Sequence, residues 1–162
     1  MRMGVMFISQ QNMESFIMKK SLAIIVGIIS VGSAMASQPL QLSLTPDIAL
    51  FDRTERIEGL CLSIWGENPQ SALALGIVNG STGQSAGLSW ALLLNYADNY
   101  TGIQWAPVNY TKGDFLGWQG GFVNATEGQM KGLQSGAINY AGRLTGLQLG
   151  LLNYAETAAN GV

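Results

Sequence analysis

From Gly59 to its last residue the chain repeats one pattern about every fifteen residues. The copies read GLCLSIWG, ALALGIVN, GLSWALLLN, GIQWAPVN, GWQGGFVN, GLQSGAIN and GLQLGLLN. They start at Gly59, Ala72, Gly87, Gly102, Gly117, Gly132 and Gly146, and an eighth opens at Gly161. Repetition at a fixed period makes each copy one structural element that can bury its faces only against its neighbours. Such an array says much about architecture and little about chemistry.

Numbering the leading glycine as position 1, positions 2, 4 and 6 are mostly apolar, as in Ile103, Trp105 and Pro107. The opposite parity carries glutamine at 3 (Gln104, Gln119, Gln134, Gln148) and a small residue at 5, such as Gly121 or Ala106. Six copies end on asparagine: Asn79, Asn95, Asn109, Asn124, Asn139 and Asn153. The glycines Gly59, Gly87, Gly102, Gly117, Gly132 and Gly146, with these asparagines, are the candidate structural positions. Alternation with period two over about ten residues is a strand signal, so the array is predicted to be all-β.

Two arrangements satisfy the pattern. Short turn-like links such as Ala141-Gly142-Arg143 suit hairpins, so consecutive units are expected to run as an antiparallel β-meander. Closure into an up-and-down barrel would remove its edges, with apolar side chains outward and Gly, Gln and Tyr inward. The alternative is a β-solenoid with one unit per coil, in which asparagines and glutamines stack as ladders. An eight-residue strand spans ~26 Å, and seven residues return at most ~23 Å, so a coil must bend mid-strand. The small residue at position 5 is where it could. The meander is the favoured expectation.

Charged residues are only 11% of the chain, and between positions 1 and 8 no unit holds one. They fall in the links: Asp98, Lys112, Asp114, Glu127, Lys131, Arg143 and Glu156. Strands uncharged on either face are expected to be covered on both, by protein or by lipid. With a net charge of -2 and no basic patch, nucleic acid is not an expected partner.

Upstream, Lys19 and Lys20 precede the apolar run Leu22 to Val31 and the stretch Ala34-Met35-Ala36. A positive region, a short apolar region and an A-x-A site are the parts of a secretory signal peptide. Residues 18–36 are therefore predicted to be a signal cleaved after Ala36, with Met18 as the start and 1–17 as an upstream start-site artefact. Residues 37–58 are read as an N-terminal strand and linker, with Leu40 to Leu44 alternating and Pro46 ending the strand. Phe51 to Glu58 is the one charge-dense stretch after the leader, read as a solvated turn rather than a docking surface. Residues 59–162 form the repeat domain, expected to be truncated at its C-terminus because Gly161 opens a unit that stops.

Catalytic, cofactor-binding and metal residues are not expected. Histidine is absent, which removes Ser-His-Asp chemistry, and Cys61, the only cysteine, sits at position 3 as an inert buried thiol. Asp52, Glu55 and Glu58 each stand beside Arg53 or Arg56, so salt bridges are expected rather than an acid/base pair. Four glycosylation sequons, at Asn79, Asn99, Asn109 and Asn124, are explained largely by the repeat asparagine. Trp90 and Trp105 share position 4, which points to packing or lipid contact before carbohydrate stacking.

The string GLQSGAINYAGRLTGLQLGLLNYAETAANGV resembles the units of a bacterial surface-repeat family, secreted or outer-envelope proteins with tandem G-x-Q-x-G-x-x-N motifs. The resemblance covers roughly 59–162 and implies further repeats and an aromatic-rich terminal strand. The expected function is a non-enzymatic exported protein with a structural or surface-interaction role at the outer membrane or cell surface. Its expected partners are outer membrane lipid or envelope components, with no small-molecule substrate. The alternative is a soluble periplasmic or extracellular binding module for glycan or protein ligands.

Overall fold

The computed structural model describes Ser37–Ala159, and the leader and start-site expectations lie outside the described residues. Among the described residues the chain is all-β: β1 (Gln38–Thr45), β2 (Ile48–Ala49), β3 (Ile57–Asn68), β4 (Ser71–Trp105), β5 (Val108–Thr111), β6 (Phe115–Gly120), β7 (Val123–Ser135), β8 (Ile138–Leu149) and β9 (Leu152–Ala158). The long strands run through more than one side of a coil.

The antiparallel meander and its barrel are corrected by the pairing. Except for β2, every paired strand is parallel to its neighbour and in register with the same position one coil on. Gly102 pairs with Gly117, Gly117 with Gly132 and Gly132 with Gly146. Asn95 pairs with Asn109, and Asn109, Asn124, Asn139 and Asn153 continue the row. This is the β-solenoid alternative, with about seven turns. Hairpins would have set position 1 of one unit near position 8 of the next, so that amides faced unlike partners.

The predicted mid-strand bend is present. The chain bends at Ala106-Pro107, Gly121-Phe122, Gly136-Ala137 and Gly150-Leu151, positions 5 and 6 of successive coils. Each coil is thus two short walls. The first runs from two residues before the glycine to position 4, and the second from position 7 to about position 10.

The bend also resets which side chains face inward. Gln104, Gln119 and Gln134 on the first wall and Asn95, Asn109 and Asn124 on the second are all at most 1% exposed. A straight strand would put positions 3 and 8 on opposite faces; one break of alternation at the bend brings both inside. Alternation runs unbroken through the glycine, where φ lies between +119 and +145 in six coils, so Tyr100, Phe115, Met130 and Leu144, four residues before position 3, face the interior as well. A Cβ on Gly117 would lie 2.0 Å from the Gly102 carbonyl oxygen, so the column also needs glycine for close approach.

Beside the charged turns the interior is therefore apolar, built on Tyr100, Phe115, Met130 and Leu144 with Ala97 and Ala141 opposite. Beside the bends it is polar. Asn95 Nδ2 donates to Asn109 Oδ1 at 2.9 Å, and the same bond recurs from Asn109 to Asn124 and on to Asn139 and Asn153. The glutamine ladder runs the other way: Gln148 Nε2 donates to Gln134 Oε1 at 2.7 Å, Gln134 to Gln119 and Gln119 to Gln104. Opposed directions let the dipoles of the two rows offset each other.

Residues 37–58 extend the same stack. β1 pairs in parallel with β3, Gln41 beside Cys61 and Leu42 beside Leu62, so Leu40 to Leu44 is an unrecognised repeat unit. The charge-dense stretch is a solvated turn as expected, with Asp52 to Glu55 exposed between β2 and β3, and its leading residue Phe51 packs on Ile57, Cys61, Ala72 and Ala74. Gln41 bonds both backbone groups of Phe51 at 3.0 Å, and Asn68 Nδ2 donates to the Asp52 and Glu55 carbonyls. The solenoid is capped at this end.

Two substitution pairs test this account by chemical denaturation. Gly83 has φ +59 but open space around its Cβ direction, so Gly83→Ala costs only the left-handed strain, about 1–2 kcal/mol. Gly117→Ala adds a collision with backbone and is expected to cost at least about 2 kcal/mol more. In the ladder, Asn124→Ala strands buried acceptors on Asn139 and Ser135 and is expected to cost about 2–3 kcal/mol. Asn153→Ala, at the exposed end of the row, is expected to cost under about 1 kcal/mol.

Candidate functional site

The repeat glycines and asparagines of the sequence analysis are all structural, and each asparagine has a definable task. A short amide two residues beyond the bend reaches the carbonyl groups around it, in its own coil and in the next. Asn109 Nδ2 donates to the Ala106 carbonyl of its own bend at 3.2 Å and to the Gly120 carbonyl of the next coil at 2.8 Å. Asn139 does the same with Gly136 and Leu149. Glutamine, one methylene longer, instead crosses the interior, as where Gln134 Nε2 donates to the Tyr140 carbonyl at 3.0 Å. These side chains are consumed by the fold and present nothing to a ligand.

Cys61 occupies the glutamine column, is 6% exposed, and donates its thiol to Gln70 Oε1. Burial pushes that thiol up to about 12 from 9.0. The neighbouring gap between Gln41, Ser43, Asn68 and Asn79 leaves about 10 Å³ for the centre of a water, the lower limit for holding a single one. Of the expected salt bridges, Arg56 lies 3.4 Å from Glu58, while Asp52 is held low by hydrogen bonds from the Thr54 backbone and hydroxyl.

The surface that remains is the outside of the bend, and its composition is inverted relative to an ordinary soluble sheet. Because the amides point in, the apolar columns point out. Position 6 presents Leu44, Ile64, Ile77, Leu92 and Phe122 at the apex, the last 64% exposed. Position 7 adds Trp65, Val108 and Ile138, and on the first wall positions 2 and 4 add Leu62, Leu88 and Leu149. The expectation that both strand faces would be covered is not met by the chain itself.

Aromatic side chains border this ridge on each side. On the first wall Trp90 and Trp105 stack at 5.8 Å, and the Trp118 indole donates to Ser135 Oγ at 2.7 Å. On the second wall Tyr96, Tyr110, Tyr140 and Tyr154 stand outward at the position after asparagine, correcting the inward placement that a barrel lumen required. Their hydroxyls point toward the charged side of the coil. Tyr110 donates to Glu127 at 2.7 Å and Tyr140 to Glu156 at 2.7 Å. Tyr96 crosses Gly80, where a Cβ would strike its ring, to donate to Glu67 at 2.6 Å. Desolvation first, then the Glu67 hydrogen bond, lift Tyr96 from 10.0 to about 12.

The turns on the opposite side carry the charges predicted for the links, and all seven are exposed. They are also stacked: Asp98 Oδ2 accepts from the Gly83 backbone and Asp114 Oδ1 from that of Gln129, each at 2.8 Å. Around one coil, then, the outer surface passes from an apolar apex through aromatic flanks to a charged edge.

Cys61 and Tyr96 set an alkaline limit. Both hold their protons more tightly folded than unfolded, so their contribution is complete below 9.0 and 10.0 and is lost as pH rises toward about 12. Denaturation midpoints are expected to fall between pH 9 and pH 11.5, and less steeply in a Cys61→Ser/Tyr96→Phe variant. A thiol reagent at pH 8 is expected to leave Cys61 unlabelled until denaturant is added. Comparison of the chain with protein-family models, with curated proteins and with solved structures finds no match to any of them.

Proposed function

We propose that this chain is an exported, non-enzymatic bacterial β-solenoid with a structural or surface-interaction role at the outer envelope, and that the apolar ridge is its working surface. The observation that carries this reading is the inversion of the coil: buried amides hold the stack, and leucine, isoleucine, phenylalanine and tryptophan are left outside. An exposed apolar surface of this extent marks an interaction site in a folded protein. Export is supported by the signal-like leader ending at Ala36, and the envelope by the likeness of the units to bacterial surface repeats. A second reading, a soluble binding module for glycans, draws on the outward Trp90–Trp105 row. Those rings face each other, which leaves fewer free faces for a sugar.

The test is fractionation of the producing bacterium with N-terminal sequencing of the recovered protein. The mature chain is expected to begin at Ser37 and to stay with the envelope until detergent is added. Recovery from the cytoplasm with Met18 still attached would remove the export reading. Release from the envelope by buffer alone favours the soluble module.

A further inference from the structure

The shape of the ridge and the placement of its aromatic residues select a partner. We infer that the outer bend of the solenoid inserts into the interfacial layer of a lipid bilayer, with Trp and Tyr at headgroup depth and the charged turns in water. This inference rests on the reading of the ridge as the working surface and names what it touches.

Three features favour lipid over a protein partner. First, the ridge is convex: the two walls face one another across the glutamine row, so positions 6 and 7 lie on the outside of a bend. A second copy offers the same convexity, and two such ridges meet along a line rather than over the roughly 800 Å² per partner that a stable interface needs. Fluid acyl chains have no such shape requirement and close around a ridge. Second, the aromatic flanks lie on both sides of the apex, with the phenol hydroxyls turned to hydrogen-bonding partners away from it and the Trp118 indole donating to Ser135 beside the bend. An apolar body with a polar tip is the chemistry that seats Trp and Tyr at a membrane–water boundary. Third, no charged residue occurs from position 1 to position 8 in any described coil from Ala72 onward, so no charge is carried below the headgroups. At a strand spacing of ~4.8 Å, eight stacked coils make an apolar line about 34 Å long.

The charged turns fix the kind of lipid. Asp98, Asp114, Glu127 and Glu156 outnumber Lys112, Lys131 and Arg143, so this edge has no excess of positive charge to attract anionic headgroups. Insertion is driven by apolar burial into neutral, zwitterionic bilayers and is insensitive to salt.

The four tryptophans lie at residues 65, 90, 105 and 118, so their fluorescence reports the solenoid and not the apolar leader run. The experiment mixes the full chain with phosphatidylcholine vesicles, with and without acyl-brominated lipid, and follows emission alongside flotation. The expected result is a blue shift with bromine quenching, unchanged between 0.1 and 0.5 M salt and not strengthened by anionic lipid. A Leu93→Glu/Phe122→Glu variant, altered only at outward positions, is expected to need at least ten-fold more lipid for the same shift while keeping its β-sheet circular dichroism. If that variant unfolds, Phe122→Ser alone, expected to need about three-fold more lipid, takes its place. Flotation without a tryptophan shift means that only the leader binds, and it overturns the inference. So does a shift that a folded variant retains. A wild-type dimer that ignores vesicles and that the variant dissolves also overturns it, but keeps the ridge as the working surface. A monomer that ignores vesicles overturns both.

Discussion

The structure depends on pairing identical amides through the interior. A buried asparagine or glutamine without partners costs on the order of 1–3 kcal/mol per unsatisfied group, and this chain buries the pair in the coils of Gln104 and Asn109, Gln119 and Asn124, and Gln134 and Asn139. The cost is offset along a row where successive coils present the same amide at the same height, because each then donates to the next; Gln104 Nε2, at the end of the glutamine row, is left without a partner. Parallel, in-register stacking is the only arrangement that does this throughout, and it accounts for the near-invariance of the fifteen-residue spacing. Between Asn79 and Asn95 the ladder is improvised: the hydroxyl of Ser89 bridges the two, accepting from one and donating to the other.

The amide core has a consequence for the surface. A coil of two short walls has few inward positions, and here asparagine, glutamine and small residues take those near the bend. Apolar side chains in the unit are then divided between the small cluster behind the charged turns and the outside of the bend. An ordinary domain places its apolar residues inside for stability. This one obtains its cohesion from backbone pairing and amide rows, which frees leucine, isoleucine and tryptophan for an external role. The same division explains why charge is confined to one edge: the turns are the single stretch of the coil with neither a row to join nor an apolar neighbour to face.

The two ends of the stack are treated differently. At the N-terminal end Gln41 and Asn68 spend their amides on the backbone of 51–55, and Phe51 closes the apolar cluster. These are repeat-column residues turned to a capping task, which is why the stretch 46–56 breaks the period. At β9, Leu152 is 64% and Tyr154 60% exposed among the described residues, and Asn153 accepts from Asn139 while its own Nδ2 donates back to its bend at Gly150.

Much of this was legible in residue order. Period two marked strands, the fifteen-residue recurrence marked a stack of like elements, and the absence of charge from positions 1 to 8 marked a surface unlike that of a soluble sheet. The need for a bend at position 5 followed from chain length alone. Strand direction did not, because turn-like links of three to five residues serve a hairpin and a coil corner equally well, and alternation is the same read in either direction. Nor could alternation alone place positions 3 and 8 on one side, since that requires a break of alternation at the bend, which is realised only once neighbouring coils press against each other. Composition determined that apolar surface would exceed what this chain could bury. Tertiary structure alone decided that it would gather on one convex edge, because parallel register repeats every outward side chain in line.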